Sequence, residues 1–163
     1  MRQFINKYGA YIAAGAVVLT AILIYALGPF RGNPSVPTRA FYIDEATGEE
    51  SIQPIASIPP LPGKDGKPTL VQVVKVSCDG GKNPRTVYYR KYAPQAKQKI
   101  EELRGTNDAT KQTEMDDWMS RGEMLRDPAP GSPWVYALSD AGEKLREKAL
   151  CTNGQIARVV YPP

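Results

Sequence analysis

The feature that most constrains this chain is an uninterrupted apolar segment near its N-terminus. Residues 8–28, YGAYIAAGAVVLTAILIYALG, contain no charged side chain. A helix of about 20 apolar residues spans the ~30 Å hydrocarbon layer of a bilayer, and this segment has that length. Lys7 precedes it, and Pro29 and Arg31 follow it, as at a helix that ends in the water interface. The sequence therefore predicts a single transmembrane helix in contact with membrane lipid.

A cleaved signal peptide is the alternative interpretation of this segment. Ala26 and Gly28 form the small-x-small pair that a signal peptidase requires. The apolar run is longer than a usual signal core, however, and Pro29 would directly follow the cut. We therefore expect an uncleaved anchor.

Charge predicts the orientation of this anchor. The tail, residues 1–7, carries Arg2 and Lys7 and no acidic residue, whereas acidic residues soon follow Arg31 and Arg39 on the other side. Positive flanks stay in the cytoplasm. We expect a single-pass inner-membrane protein with a cytoplasmic tail (1–7), a transmembrane helix (8–28), a linker (29–39) and a periplasmic domain (40–163).

One side of the anchor carries small residues at spacings of four, three and four, which let two helices approach closely. This stripe predicts packing against a second copy or another membrane subunit, although membrane helices are commonly rich in Gly and Ala. Its members are Gly9, Ala13, Ala16 and Thr20.

The composition excludes several classes of function. The chain has no histidine, which removes imidazole bases, Ser-His-Asp and Cys-His catalysis, and His-bearing zinc sites. The 21 Lys and Arg are mixed with 17 Asp and Glu, so no nucleic-acid footprint is present. Ser77 with Lys75 as its base is a conceivable nucleophile pair without histidine, but nothing around it indicates a desolvated lysine. We predict no enzyme activity, cofactor, metal site or small-molecule substrate.

The two cysteines, Cys78 and Cys151, are too few for a four-thiolate metal site. An even pair in an exported domain favours a disulfide, with two buried free thiols as the alternative.

The pattern after the linker predicts an α+β domain with an antiparallel sheet and two to three helices. Strands are expected from Ala40 with a turn at Gly48, at 69–78 in the centre of the sheet, and at 86–92, 134–138 and 155–161. Helices are expected from Pro94 to Gly105, over 111–125, and from an N-cap at Ser139 to Cys151. Residues 52–68 contain five prolines and are expected to form an irregular segment pressed on the core, or else a proline-rich ligand. Four acidic residues in the first turn are interpreted as a solvated tip rather than a calcium site: Asp44, Glu45, Glu49 and Glu50.

Several segments together carry a resemblance. They are FYIDEATGEE, KDGKP, VVKVSCDGGK, YRKYAPQAKQKIEEL and CTNGQIARVVYP. This order, after an N-terminal anchor, resembles the small single-pass envelope proteins of planctomycete-type bacteria. The resemblance implies an envelope location and no particular site.

These observations favour an accessory or structural subunit that joins a larger membrane or envelope assembly through its helix and exported domain. The alternative is an anchored binding or sensing module for an acidic glycan or cell-wall fragment. Its ligand face would use Tyr88 and Arg90, with further basic side chains at Lys75, Arg85 and Lys91.

Overall fold

The computed structural model describes residues 36–152 and 157–163. The predicted tail, anchor and most of the linker lie outside these residues, as do Gly9, Ala13, Ala16 and Thr20. Within the described part of the chain, no helix is long and apolar enough to cross a membrane. Residues from Pro37 onwards form one compact unit.

The unit is built on an eight-stranded antiparallel sheet. Its strands are β1 (Arg39–Asp44), β2 (Glu50–Pro54), β3 (Leu61–Pro62), β4 (Pro68–Ser77), β5 (Arg85–Tyr92), β6 (Glu123–Arg126), β7 (Val135–Tyr136) and β8 (Arg158–Val160). The main path runs β2-β1-β4-β5-β6-β7, and β3 and β8 each pair with β4.

Within residues 36–152 and 157–163, three helices accompany the sheet: α1 (Pro94–Leu103), α2 (Ala109–Gly122) and α3 (Asp140–Glu147). The predicted α+β class with an antiparallel sheet is therefore confirmed for the domain. Pro94 begins α1, where its missing N–H costs nothing. The Asp108 and Ser139 side chains cap α2 and α3, so the predicted cap at Ser139 is also confirmed.

The first hairpin follows the sequence prediction. β1 and β2 pair from Arg39 opposite Pro54 to Ile43 opposite Glu50. Gly48 has a φ of +75°, the left-handed conformation that the turn requires and that glycine adopts without strain. The predicted central strand is also confirmed, because β4 pairs with β1, β3, β5 and β8.

The predicted helix over residues 111–125 ends earlier than expected. α2 ends at Gly122, and the backbone then becomes extended at Glu123, where β6 begins and pairs with β5. A Cβ at Gly122 would lie 2.0 Å from the Cβ of Ala96, so the absence of a side chain lets α2 approach α1 closely. Leu125, expected on the helix, is fully buried in β6 instead.

The proline-rich segment is regular at both ends, contrary to the prediction. β2 continues to Pro54, and Leu61–Pro62 form β3. Its middle packs on the core as predicted: the Pro59 carbonyl accepts a hydrogen bond from the Tyr92 N–H at 3.0 Å, and Ile58 joins a buried cluster. Proline is tolerated in β2 because this strand lies at the sheet edge.

The C-terminal elements are shorter than predicted. The strand expected over 134–138 contains only Val135–Tyr136, and the last strand, expected over 155–161, is Arg158–Val160. Residues 153–156 lie outside the described chain. The third helix ends at Glu147 and not at Cys151, and a turn follows it.

The sheet has two faces, which we name by their residues. The first face carries Tyr42, Gln72, Val74, Tyr88, Arg90, Tyr92, Glu123 and Leu125, as cross-strand pairing places them together. All three described helices contact it or the clusters joined to it. The second face carries Phe41, Ile43, Val71, Val73, Tyr89, Lys91, Met124 and Arg126.

Candidate functional site

Tyr88 and Arg90, the predicted ligand face, lie together on the first face. Both line a cavity of about 120 Å³, along with Gln72 and Tyr161. Ligand pockets for drug-sized molecules measure roughly 300–1,000 Å³, so this cavity is smaller than a typical ligand pocket. Burial raises the pKa of Tyr88 above its ordinary value.

The guanidinium of Arg90 already has protein partners. Its Nε donates to the Gln72 side-chain oxygen at 2.9 Å, and a second nitrogen donates to the same oxygen. Its Nη1 lies 3.4 Å from Glu123, whose other oxygen pairs with Arg146. Glu123 is 13% exposed, and Arg90 and Arg146 supply the cations that a largely desolvated carboxylate requires. The ligand role of Tyr88 and Arg90 stays a prediction.

The other basic residues assigned to the ligand face lie elsewhere. Lys75 and Lys91 contact side chains of the second face. Arg85 donates to the carbonyls of Lys148 and Leu150 at 2.6 and 3.1 Å, just beyond α3. A single basic and aromatic face is therefore not formed, because neighbouring residues of a strand point to opposite sides of a sheet.

The second face holds a cluster of charged and aromatic side chains that the sequence did not reveal. The Lys91 Nζ lies 4.0 Å from the centre of the Trp134 ring, and the Arg126 guanidinium carbon lies 4.9 Å from the same ring. Arg126 also lies 5.2 Å from the Tyr89 ring. Glu45 pairs with both cations, at 2.6 Å to Arg126 and 3.5 Å to Lys91. The two cations are thus held between rings and a carboxylate.

A smaller version of this arrangement lies near β2. The Lys75 Nζ is 4.5 Å from the Phe41 ring centre and 2.8 Å from a Glu50 oxygen. The Lys75 side chain is 18% exposed, whereas Glu50 is 49% exposed. Lys75 is therefore held between a ring and a carboxylate on this face, as Lys91 and Arg126 are.

The four acidic residues of the first turn have separate partners and do not form a cluster. Asp44 is buried, and its carboxylate accepts from the Ala46 N–H at 2.9 Å, which lowers the pKa of Asp44. Glu45 is also mostly buried, so the prediction of a solvated tip is wrong for these two residues and holds for Glu49 and Glu50. No group of metal-ligating side chains occurs among residues 36–152 and 157–163.

The predicted disulfide is confirmed. Cys78, directly after β4, is bonded to Cys151, directly after the turn that follows α3, with their Cα atoms 5.8 Å apart. The bond lies beside the buried residues Val76, Val87 and Ala157. The turn after Cys78 is held by Asp79, whose pKa is lowered to about 2 by hydrogen bonds, first from the Ser77 hydroxyl and then from Asn83.

Scans against protein-family models, curated proteins and solved structures each gave no match to this chain.

Proposed function

We propose that this protein is a non-enzymatic accessory subunit anchored in a membrane by residues 8–28. Its domain lies on the periplasmic side and associates, together with the helix, with membrane subunits or with a second copy. The domain serves as a contact surface. Its basic side chains bind mainly to aromatic rings and carboxylates of the same domain.

The observation that carries this proposal is the Cys78–Cys151 disulfide in a chain that also contains a charge-free segment of membrane-spanning length. Disulfides persist in oxidising compartments and are rare in the cytosol. An anchor that leaves the tail in the cytoplasm would deliver the domain to such a compartment. The positive tail and the bond therefore favour the same orientation.

The charge pairing of the domain supports a contact role over a ligand-binding role. Arg90, Lys91 and Arg126 each have a carboxylate partner within the domain. A ligand that recruited them would have to compete with these bonds. Protein partners, in contrast, can use the surfaces and edges of the sheet without breaking them.

Association is tested with the full-length chain in native membranes. After mild detergent extraction, we expect a native mass larger than that of a monomer and a crosslink within the membrane. Ala13→Leu with Ala16→Leu should abolish this crosslink, because bulky residues prevent close helix approach. Ala14→Leu, off the stripe, is the matched control. A protein that is monomeric and uncrosslinked in cells would contradict the proposal.

The alternative function, binding of an acidic glycan or wall fragment, has one observation in its favour: Tyr88 and Arg90 line the same cavity. Retention of the protein on wall material, lost in Tyr88→Phe and in Arg90→Lys, would support it. Arg90→Lys keeps a charge near Glu123, so loss of retention in that variant would not follow simply from a buried unpaired carboxylate. Equal retention of both variants and the unmodified chain would exclude this face.

A further inference from the structure

The edge strand β2 presents unpaired backbone groups in a defined pattern. Among the described strands, β2 pairs only with β1. The Asp44 N–H donates to the Glu49 carbonyl at 3.0 Å, and the Ile55 N–H donates to the Thr38 carbonyl at 2.9 Å. Because antiparallel pairs alternate between bonded and non-bonded, odd-numbered residues from 49 to 55 face β1. Glu50, Ile52 and Pro54 therefore direct their backbone groups outward.

The side chains near this edge suit an added strand. A groove of about 570 Å³ lies over the paired ends of β1 and β2, lined by Thr38, Arg39, Ile52, Gln53 and Pro54. The Ile52 side chain is 48% exposed. An exposed edge with an apolar side chain is a template for pairing with another strand.

We propose that a second copy of this chain adds to β2 by antiparallel pairing centred on Ile52. In that alignment Ile52 exchanges two hydrogen bonds with Ile52 of the second copy. The Glu50 N–H donates to the Pro54 carbonyl of the second copy, and the reverse bond forms by symmetry. Proline lacks only the N–H, so this alignment loses just the two bonds in which Pro54 would donate. Such a self-complementary contact is what a two-fold dimer requires.

Charge complementarity favours this alignment. Arg39 lies opposite Pro54 within the domain and makes no ion pair with residues 36–152 or 157–163. Glu50 of the second copy would lie on the far side of the same Pro54, on the same face of the joined sheet. The Glu50 carboxylate pairs with Lys75 of its own chain at 2.8 Å and is 49% exposed. Arg39 of the other copy would share this carboxylate across the small proline ring. The remaining pairs of this alignment place Ser51 opposite Gln53, so no like charges face each other.

The inference rests on the proposed anchor, because the contact between the two β2 strands is small. A contact of a few residues buries less than the ~1,200 Å² of a stable complex. Two chains held in one membrane have a high effective concentration, which compensates for this. From strand spacings, the two Arg39 residues would be about 20 Å apart. The ten linker residues before Arg39 can extend to roughly 33 Å, so paired domains are compatible with packed anchors.

The test uses full-length protein in native membranes with a reporter cysteine, Gln53→Cys. In the proposed dimer the two reporters are diagonal neighbours about 7–8 Å apart, within reach of a short bismaleimide. The native cysteines are bonded to each other and do not react. Lys82→Cys, exposed in the turn between β4 and β5, is the matched control. We expect a crosslinked dimer for Gln53→Cys and none for Lys82→Cys.

A second substitution tests the outward N–H directly. Ile52→Pro in the Gln53→Cys chain removes the central donor of both copies but no bond to β1. We expect the crosslink to fall about tenfold, as for two lost hydrogen bonds, and to persist in Ile52→Val. An undiminished crosslink in Ile52→Pro would overturn the proposal, provided its melting temperature matches that of Ile52→Val. If Ile52→Pro fails to fold, the comparison of Gln53→Cys with Lys82→Cys decides alone, and no dimer for Gln53→Cys overturns the proposal.

The outcomes separate this inference from the proposed function. If the chain stays in the membrane with an oxidised Cys78–Cys151 pair but Gln53→Cys gives no dimer, the edge contact is excluded and the anchored subunit stands. If the chain is recovered outside the membrane, both are overturned.

Discussion

The two buried clusters of the domain are stabilised in different ways. The helix-side cluster contains Tyr92, Ala96 and Ile100, and it is covered by the side chains of Ile58, Met115 and Trp118. The disulfide-side cluster contains the smaller buried residues Val76, Val87 and Ala157, with Val74, Tyr88 and the Cys78–Cys151 bond packed beside them. Two helices supply apolar volume at the first cluster, whereas a covalent bond and short chain segments close the second.

Because of this difference, the stability of the domain should depend on the redox state of its compartment. The buried residues of the disulfide-side cluster are smaller than those of the helix-side cluster, so they bury less apolar area. A bond that closes a 73-residue separation restricts the unfolded chain strongly. The disulfide-side cluster should therefore depend on oxidising conditions, and the helix-side cluster should not.

The largest expected effect comes from removing the disulfide. Cys78→Ser with Cys151→Ser should lower the free energy of unfolding by about 4 kcal/mol, as loop-closure entropy estimates for this separation. Urea unfolding with and without reductant measures it. Reductant should reproduce the loss in the unmodified protein and change nothing in the double variant. A double variant as stable as the parent would show that the bond is not needed.

A cavity in the helix-side cluster should cost somewhat less. Ile100 is 2% exposed, so Ile100→Ala should destabilise the domain by about 3 kcal/mol. Met119→Ala, at a side chain that is 38% exposed on α2, is the control and should change the stability little. The two clusters are independent if the loss at Ile100 is the same under oxidising and reducing conditions. A loss that disappears under reductant would contradict this.

Overpacking between α1 and α2 should have a smaller effect. Gly122→Ala places a methyl 2.0 Å from the Ala96 Cβ and should cost about 2 kcal/mol. Adding Ala96→Gly removes that contact and should restore part of the stability, which a thermal melt of both variants would show. Additive losses in the double variant would mean that the helices are not in direct contact here.

The smallest expected effect is the acid response of the turn beside the disulfide. The pKa of Asp79 is lowered to about 2 by the Ser77 and Asn83 hydrogen bonds, below its ordinary value of 3.8. A lowered carboxyl pKa contributes stability that is present above about pH 4 and is lost as the pH falls towards 2. Asp79→Asn should flatten this part of a melting-temperature profile measured from pH 6 to 2. If the melting temperature of Asp79→Asn falls as steeply with pH as that of the unmodified protein, groups other than Asp79 cause the acid response.

Local sequence signals predicted most elements correctly. Gly48 marked the turn, Ser139 capped α3 and the valine-rich pattern identified β4 as central. The errors arose where tertiary contacts overrode local pattern. Leu125 fitted the helical stripe, but pairing with β5 places it in a strand. The prolines in β2 and β3 argued against strands at these positions, but proline is tolerated in a strand at the edge of a sheet.

The charged cluster of the second face could not be predicted in the same way. Glu45, Lys91, Arg126 and Trp134 come from four separate segments, and only the order of the strands brings them together. In contrast, the sequence could have predicted that the residues of the expected ligand face lie on opposite faces of the sheet. Arg90 and Lys91 are neighbours on one strand, so they had to point to opposite faces.

The most direct test of the central claim, an anchored domain in an oxidising compartment, is a thiol count on native membranes after alkaline carbonate extraction. Cells are quenched in acid, and membranes are treated with maleimide-PEG before and after reduction. We expect the chain in the carbonate-resistant pellet, with no PEG added before reduction and two added after it. A chain in the supernatant, or one that takes up two PEG groups without reductant, would contradict the claim.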